Sequence, residues 1–190
     1  MKPNRLAAIA TVLVMGLSSA AMAQDAAPAA AAAAGTDATQ SPAVELAGTT
    51  APDIVRGKRV FQALANCARC HGWPGDGETG KDPRSQGQAA NLRETQLDTN
   101  ALIQIVSCGI PGTPMPYHDR LAYQDKRCFG QTKADFSADQ APQPGNLISN
   151  QDIINVVGYV EQKVKGRGPI TKAECEEYFK PGATQCASYK

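Results

Sequence analysis

The chain has 190 residues, with 19 basic against 18 acidic side chains, and only 5% of its residues are aromatic. That balance leaves no concentrated basic patch of the kind nucleic acid requires. A chain so short of large rings also needs apolar bulk from another source.

The first 23 residues read as a secretory signal peptide. Lys2 and Arg5 give a cationic start, residues 6–20 an apolar run, and Ala21-Met22-Ala23 an A-x-A cleavage site. The run is short of the roughly 20 residues of a membrane span, so export to the periplasm is expected and no membrane anchor. No cysteine near the cleavage site offers a lipid attachment point. Loss of Lys2 and Arg5 leaves 17 basic against 18 acidic residues, a nearly neutral chain. Residues 24–49 are rich in Ala, Thr, Gln and Pro. The polyalanine stretch 29–34 has no amphipathic pattern, and the segment reads as a disordered linker. Residues 50–190 remain, one domain by size.

Thr50-Ala51-Pro52-Asp53 reads as a capping box with proline in the first turn, opening a helix to about Leu64. Gly57, Val60, Phe61 and Leu64 share a stripe, while Arg56, Lys58, Arg59 and Gln62 face out.

Cys67-Ala68-Arg69-Cys70-His71 follows and has the C-x-x-C-H spacing of c-type haem attachment. Two cysteines three apart on a helical turn project to one side. They can reach both vinyl groups on one porphyrin edge, and the next residue, His71, can bring its imidazole beneath the iron. A dithiol redox pair would need a preceding strand and a βαβ pattern. Zinc would need two more ligands at close spacing. The sequence offers neither. Trp73 reads as core near this motif, and Arg93 as a surface arginine or a haem propionate partner.

Asp98 or Thr99 caps a second helix through Leu102, Ile103 and Val106, stopped by Gly109. A proline-rich loop runs from Gly109 through Pro114-Met115-Pro116. Met1, Met15 and Met22 leave with the signal, so Met115 is the only methionine of the mature chain, and His71 and His118 are the only histidines. The sixth iron ligand therefore has two candidates. Met115, in a loop stiffened by flanking prolines, is favoured, and His118 is read as a loop residue near the haem edge. A filled sixth position leaves no room for substrate or dioxygen, and thioether sulfur raises the potential. Ser149-Asn150-Gln151-Asp152 is a further capping box. Its helix carries Ile153, Val156, Val157, Val160 and Val164 on one face and ends at Gly166. The expected fold is all-α, with no convincing strand.

In order, Gly57-x-x-x-Phe61, the Cys67–His71 motif, Met115-Pro116 and Tyr159 resemble the class I cytochrome c family over residues 53–165. The resemblance implies a helical fold around one covalent haem c. Its first and last helices cross, with Gly57 and Phe61 against the helix bearing Tyr159. It also implies a backbone carbonyl that accepts from the ring N–H of His71. Pro83 and a carbonyl near Ala89 are both candidates. The chain departs from a minimal cytochrome by an insert over residues 117–148 and a tail over 166–190. The four remaining cysteines allow three pairings, of which the two local closures, Cys108–Cys128 and Cys175–Cys186, are expected, each contributing about 2–4 kcal/mol. Thr171 and Glu174 cap a short helix in the tail. Asp119, Arg120, Asp125, Lys126, Arg127 and Lys133 read as a solvated face.

The functional expectation is a one-electron carrier rather than an enzyme, with no catalytic residue. It would connect a periplasmic dehydrogenase, on the family analogy a quinoprotein, with a cytochrome or oxidase. A tightly bound haem subunit of a larger oxidoreductase is the alternative. A haem sensor or peroxidase-like protein becomes the reading if Met115 leaves the iron.

Overall fold

The computed structural model describes Leu46, residues 48–78 and residues 89–190. The expected signal peptide, the polyalanine stretch and Pro83 lie outside the described residues. The elements in chain order are α1 (Ile54–Arg59), which runs into a π-helical turn at Val60–Leu64, then α2 (Ala68–His71) and α3 (Thr99–Cys108). Strand β1 (Tyr117–Asp119), a 3-10 turn at Lys133–Asp135 and β2 (Pro144–Ile148) follow. The chain closes with α4 (Asn150–Lys163), α5 (Lys172–Tyr178) and a 3-10 turn at Thr184–Cys186.

Three helix starts form at the expected positions. The side chains of Asp98, Ser149 and Thr171 accept from the amides of Ala101, Asp152 and Glu174, each satisfying a donor the helix itself leaves open. The first helix differs. Its cap is Asp53, which accepts from the Arg56 amide at 3.0 Å, so Pro52 lies outside the helix. The Thr50 amide is instead spent on Gln151 of α4, 2.7 Å away.

Helices α1 and α4 cross at the heart of the core. A β-carbon on Gly57 would run into the backbone carbonyl of Asn155 and the Tyr159 side chain. Glycine is thus what lets the helices touch. Phe61 packs on Tyr159 with ring centroids 5.5 Å apart. Val60, Ile153, Val156, Val157 and Val164 fill the space around them and are fully buried. Gly57→Ala should therefore push the helices apart, because a carbonyl cannot rotate away as a side chain can. We expect a loss of about 1–3 kcal/mol in chemical denaturation.

The rim of the crossing is polar. Arg56 grips Asp152 with Nε–Oδ1 at 2.7 Å and NH2–Oδ2 at 2.8 Å, and the hydrogen bond from Arg56 holds the Asp152 carboxyl below its usual range. A depressed carboxyl stabilises the fold above the ordinary aspartate pKa of about 3.9 and loses that contribution as pH falls through the folded value. Arg56 is partly open to water, which screens the pair and keeps the contribution small. Asp152→Asn should flatten the acid limb of the stability–pH curve.

The fold is mostly helical, as expected, but two strands correct the expectation of none. β1 and β2 pair in parallel, Tyr117 opposite Pro144 and Asp119 opposite Ile148, with an irregularity between. They bring the two ends of the insert together. Such short strands, one buried along its whole length, leave no alternating pattern for a sequence reading to find. Cys108 is joined to Cys128 and Cys175 to Cys186, with Cα separations of 5.4 and 5.6 Å.

The tail builds a second small core. Trp73 packs on Tyr178, Phe179 and Tyr189, with centroids 5.2, 5.3 and 5.9 Å away, above the Cys175–Cys186 disulfide. Arg93 is neither a surface residue nor open to a propionate. Its side chain is 4% exposed and locked to Glu174 of α5. The expected solvated charges also divide. Asp119 is buried and meets Arg127 at 3.2 Å, while Arg120, Asp125, Lys126 and Lys133 face solvent.

Candidate functional site

The attachment motif begins where the π-helical turn ends. The Ala65 amide reaches back five residues to the Val60 carbonyl, at 3.0 Å. Asn66 then takes φ +59, a left-handed conformation that Asn tolerates better than most residues. This reversal starts a new turn, closed by bonds from the Cys70 and His71 amides to the Cys67 carbonyl at 3.1 and 2.9 Å. Cys67, Cys70 and His71 therefore leave one short helical turn. Neither cysteine is in a disulfide, and both are half-buried.

His71 is 9% exposed, and its Nδ1 lies 2.9 Å from the Ala90 carbonyl. Burial lowers its pKa, against the opposing pull of that carbonyl, so the ring is held neutral. A neutral imidazole donating through Nδ1 has its lone pair on Nε2, the form a metal ligand needs. The acceptor left open between Pro83 and the Ala89 region is thus Ala90. Its position comes from backbone bonds: Leu92 amide to Gly75 carbonyl at 2.7 Å, and Gly77 amide to His71 carbonyl at 2.8 Å.

Burial pushes the Cys67 thiol up to about 12. A dithiol redox pair needs the opposite, a stabilised thiolate. Cys67 lacks the stabilised thiolate such a pair uses.

Met115 is half-buried in a loop folded back on the end of α3. Gly109 has φ +66, and a β-carbon there would strike the Met115 carbonyl oxygen at 2.6 Å and Pro116 at 2.7 Å. The Ile110 amide binds the Met115 carbonyl, and the Met115 amide binds the Thr113 hydroxyl, both at 3.2 Å. His118 is not a loop residue. It lies in β1, 3% exposed, with Nδ1 2.8 Å from the Asn146 carbonyl and its ring against Gly145. Parallel strand pairing draws it into the neck of the insert.

The residues present fit a haem. Two thiols and a pre-oriented imidazole share one turn, and the surrounding apolar groups are only partly covered. Ile103, Val106 and Ile110 recur at helical spacing from α3 and are half-buried or exposed, as are Leu64, Ala68 and Leu92. An apolar group laid against such side chains would supply the bulk this ring-poor chain lacks.

Sequence reading missed two contributors and reached a third, Ala90, only as one of two candidate regions, because it acts through its backbone and has no side-chain signal. The Asn146 side-chain amide donates to the Leu64 carbonyl at 2.9 Å, tying β2 to the turn before the motif. The Tyr123 hydroxyl donates to the Cys108 carbonyl at 2.8 Å. A tyrosine in a mostly polar insert was the only hint of that bond.

The family described as "Cytochrome C oxidase, cbb3-type, subunit III" matches residues 52–135. No curated protein matches the chain. Among solved structures, the reducing HAO-like protein complex of Kuenenia stuttgartiensis is similar at 16% identity and a TM-score of 0.42, over 65% of this chain. The chain covers only 50% of that structure's length. The matched residues contain the Cys67–His71 turn and Met115, and the match is to a c-type cytochrome domain.

Proposed function

We propose that this class I c-type cytochrome is a periplasmic one-electron carrier with one haem c, attached through Cys67 and Cys70 and ligated by His71 and Met115. The observation that carries the reading is the His71 ring at the end of the C-x-x-C turn, fixed by the Ala90 carbonyl with Nε2 left to a metal. When bound, the haem iron supplies a reversible one-electron couple. The chain supplies the orientation. Ala90 sets the imidazole, Gly109 and the prolines set the Met115 loop, and the apolar faces of α3 and Leu92 keep water away. The donor we favour is a periplasmic quinoprotein dehydrogenase, and the acceptor a further cytochrome or an oxidase. The insert is the feature that would suit a dedicated partner.

The test is the visible spectrum of the periplasmically expressed protein: oxidised, reduced, and reduced with carbon monoxide. Sharp reduced bands, the weak red band of methionine-bound ferric haem, and no response to carbon monoxide are expected. Met115→Ala should lose the red band and bind carbon monoxide at once. Rapid binding by the unaltered protein would instead make it a sensor or a peroxidase-like protein.

A tightly held subunit of a larger oxidoreductase is the second reading. Ile110, Leu121 and Leu147 favour it, each apolar and exposed on the Met115 loop, the insert or its neck. Self-association of the purified chain would support this reading, and a monodisperse monomer the carrier.

A further inference from the structure

We infer that the insert between β1 and β2 is a clasp on the Met115 loop, with Cys128 and Tyr123 as its positioning residues. The inference rests on Met115 being the sixth ligand. It assigns the insert a task inside the molecule: keeping that ligand in place.

The insert holds the loop at four points. At its start, Cys108 is bound covalently to Cys128, and the Cys108 carbonyl accepts from the Tyr123 hydroxyl at 2.8 Å. In the middle, the Gly112 amide donates to the Gln140 carbonyl at 3.1 Å. At its end, the Tyr117 amide donates to the Gln143 carbonyl, also at 3.1 Å. Gln140 and Gln143 thus take the chain on both sides of Met115. Within the loop itself the bonds are all local: the Ile110 amide to the Met115 carbonyl, the Thr113 amide and hydroxyl to the Ile110 carbonyl, and the Met115 amide to the Thr113 hydroxyl. A segment held only by such local bonds opens readily unless something outside it resists.

The clasp is held under backbone strain. Tyr123 has φ +59 and Phe129, next to Cys128, has φ +55. Bulky side chains persist in that region only where the surroundings over-determine them. Around Tyr123 they do. It is fully buried, set edge-on to Tyr117 and Phe136 at 5.8 and 5.3 Å, with its hydroxyl committed to Cys108. A residue serving only to fill the insert would need neither the conformation nor the bond.

Detachment of a methionine ligand is a local opening, so carbon monoxide entry into the ferrous protein measures it. The haem-loaded Cys108→Ser/Cys128→Ser variant should bind carbon monoxide at a measurable rate, at least about tenfold above any response of the unaltered protein over the same time, and lose the ferric red band at lower temperature. Its far-ultraviolet circular dichroism should stay the same. Tyr123→Phe, which keeps the disulfide, should move both readouts in the same direction by a smaller factor. If the disulfide-free variant stays inert to carbon monoxide with its red band intact, the clasp is refuted. Should that variant fail to accumulate, an unchanged Tyr123→Phe refutes it equally. An unaltered protein that lacks the red band also overturns the inference, but through Met115 ligation and before any variant is compared.

Discussion

Cys67→Ser combined with Cys70→Ser, expressed with the haem-maturation machinery, should yield a chain that carries no haem through a denaturing gel. The unaltered protein should stain for haem in the same gel and show the mass of one added haem. Each single variant should retain a fraction, held by one thioether. His71→Ala should separate the roles, because the thiols remain. It should keep gel-resistant haem yet lose the low-spin spectrum, since the Ala90 carbonyl would no longer have an imidazole to orient. The double variant should also be far less stable than the loaded protein. Half-covered apolar residues along α3 and at Leu64 and Leu92 gain burial only against an added group, at roughly 25 cal/mol per Å² of apolar surface. If the unaltered chain takes up no haem after maturation, the two thiols need another explanation. The high Cys67 thiol pKa of about 12 speaks against ready thiol–disulfide exchange.

What was legible in the sequence was what side-chain pattern determines. Asp98, Ser149 and Thr171 announce helix starts because their short polar side chains satisfy open amides. The valine stripe of α4 and the small and aromatic residues at Gly57, Phe61 and Tyr159 announce a crossing because only such shapes fit one. The local disulfides follow from short spacing. What stayed hidden depends on backbone or on distant chain. The π-helical slip at Val60–Leu64 shifts hydrogen bonds by one residue and leaves composition unchanged. The Ala90 carbonyl belongs to a residue with a methyl side chain, so the sequence could narrow the acceptor only to Pro83 or a carbonyl near Ala89. β1 and β2 are too short to show a period, so His118 looked like a loop residue when pairing had in fact buried it. Arg93 and Asp119 looked solvated because a sequence gives no warning of a partner 81 or 8 residues away.

Arg93→Met should cost about 3–5 kcal/mol, the usual consequence of breaking a buried ion pair by removing one partner. The guanidinium does more than neutralise Glu174. Its NH2 reaches Glu174 Oε2 at 3.0 Å and NH1 reaches Oε1, while Nε donates to the Gly168 carbonyl at 2.8 Å and NH1 to the Pro74 carbonyl at 3.2 Å. One side chain thus joins the segment after the haem motif, the turn after α4 and the tail helix. Methionine matches much of the volume and none of the donors. The substitution leaves a carboxylate only 13% exposed without its cation, together with two carbonyls without their donors. For a domain of this size the melting temperature should fall on the order of 10 °C. Glu174→Gln keeps the shape and one acceptor, and should cost less than Arg93→Met. The double variant should cost less than the sum of the singles, because neither residue then leaves an unpaired charge behind. Trp73, the only tryptophan, sits among the tail aromatics. Its near-ultraviolet dichroism should collapse before the α1–α4 core melts if the ion pair mainly holds the tail. Simultaneous loss would mean that tail and core unfold as one unit, with Arg93 a link between them.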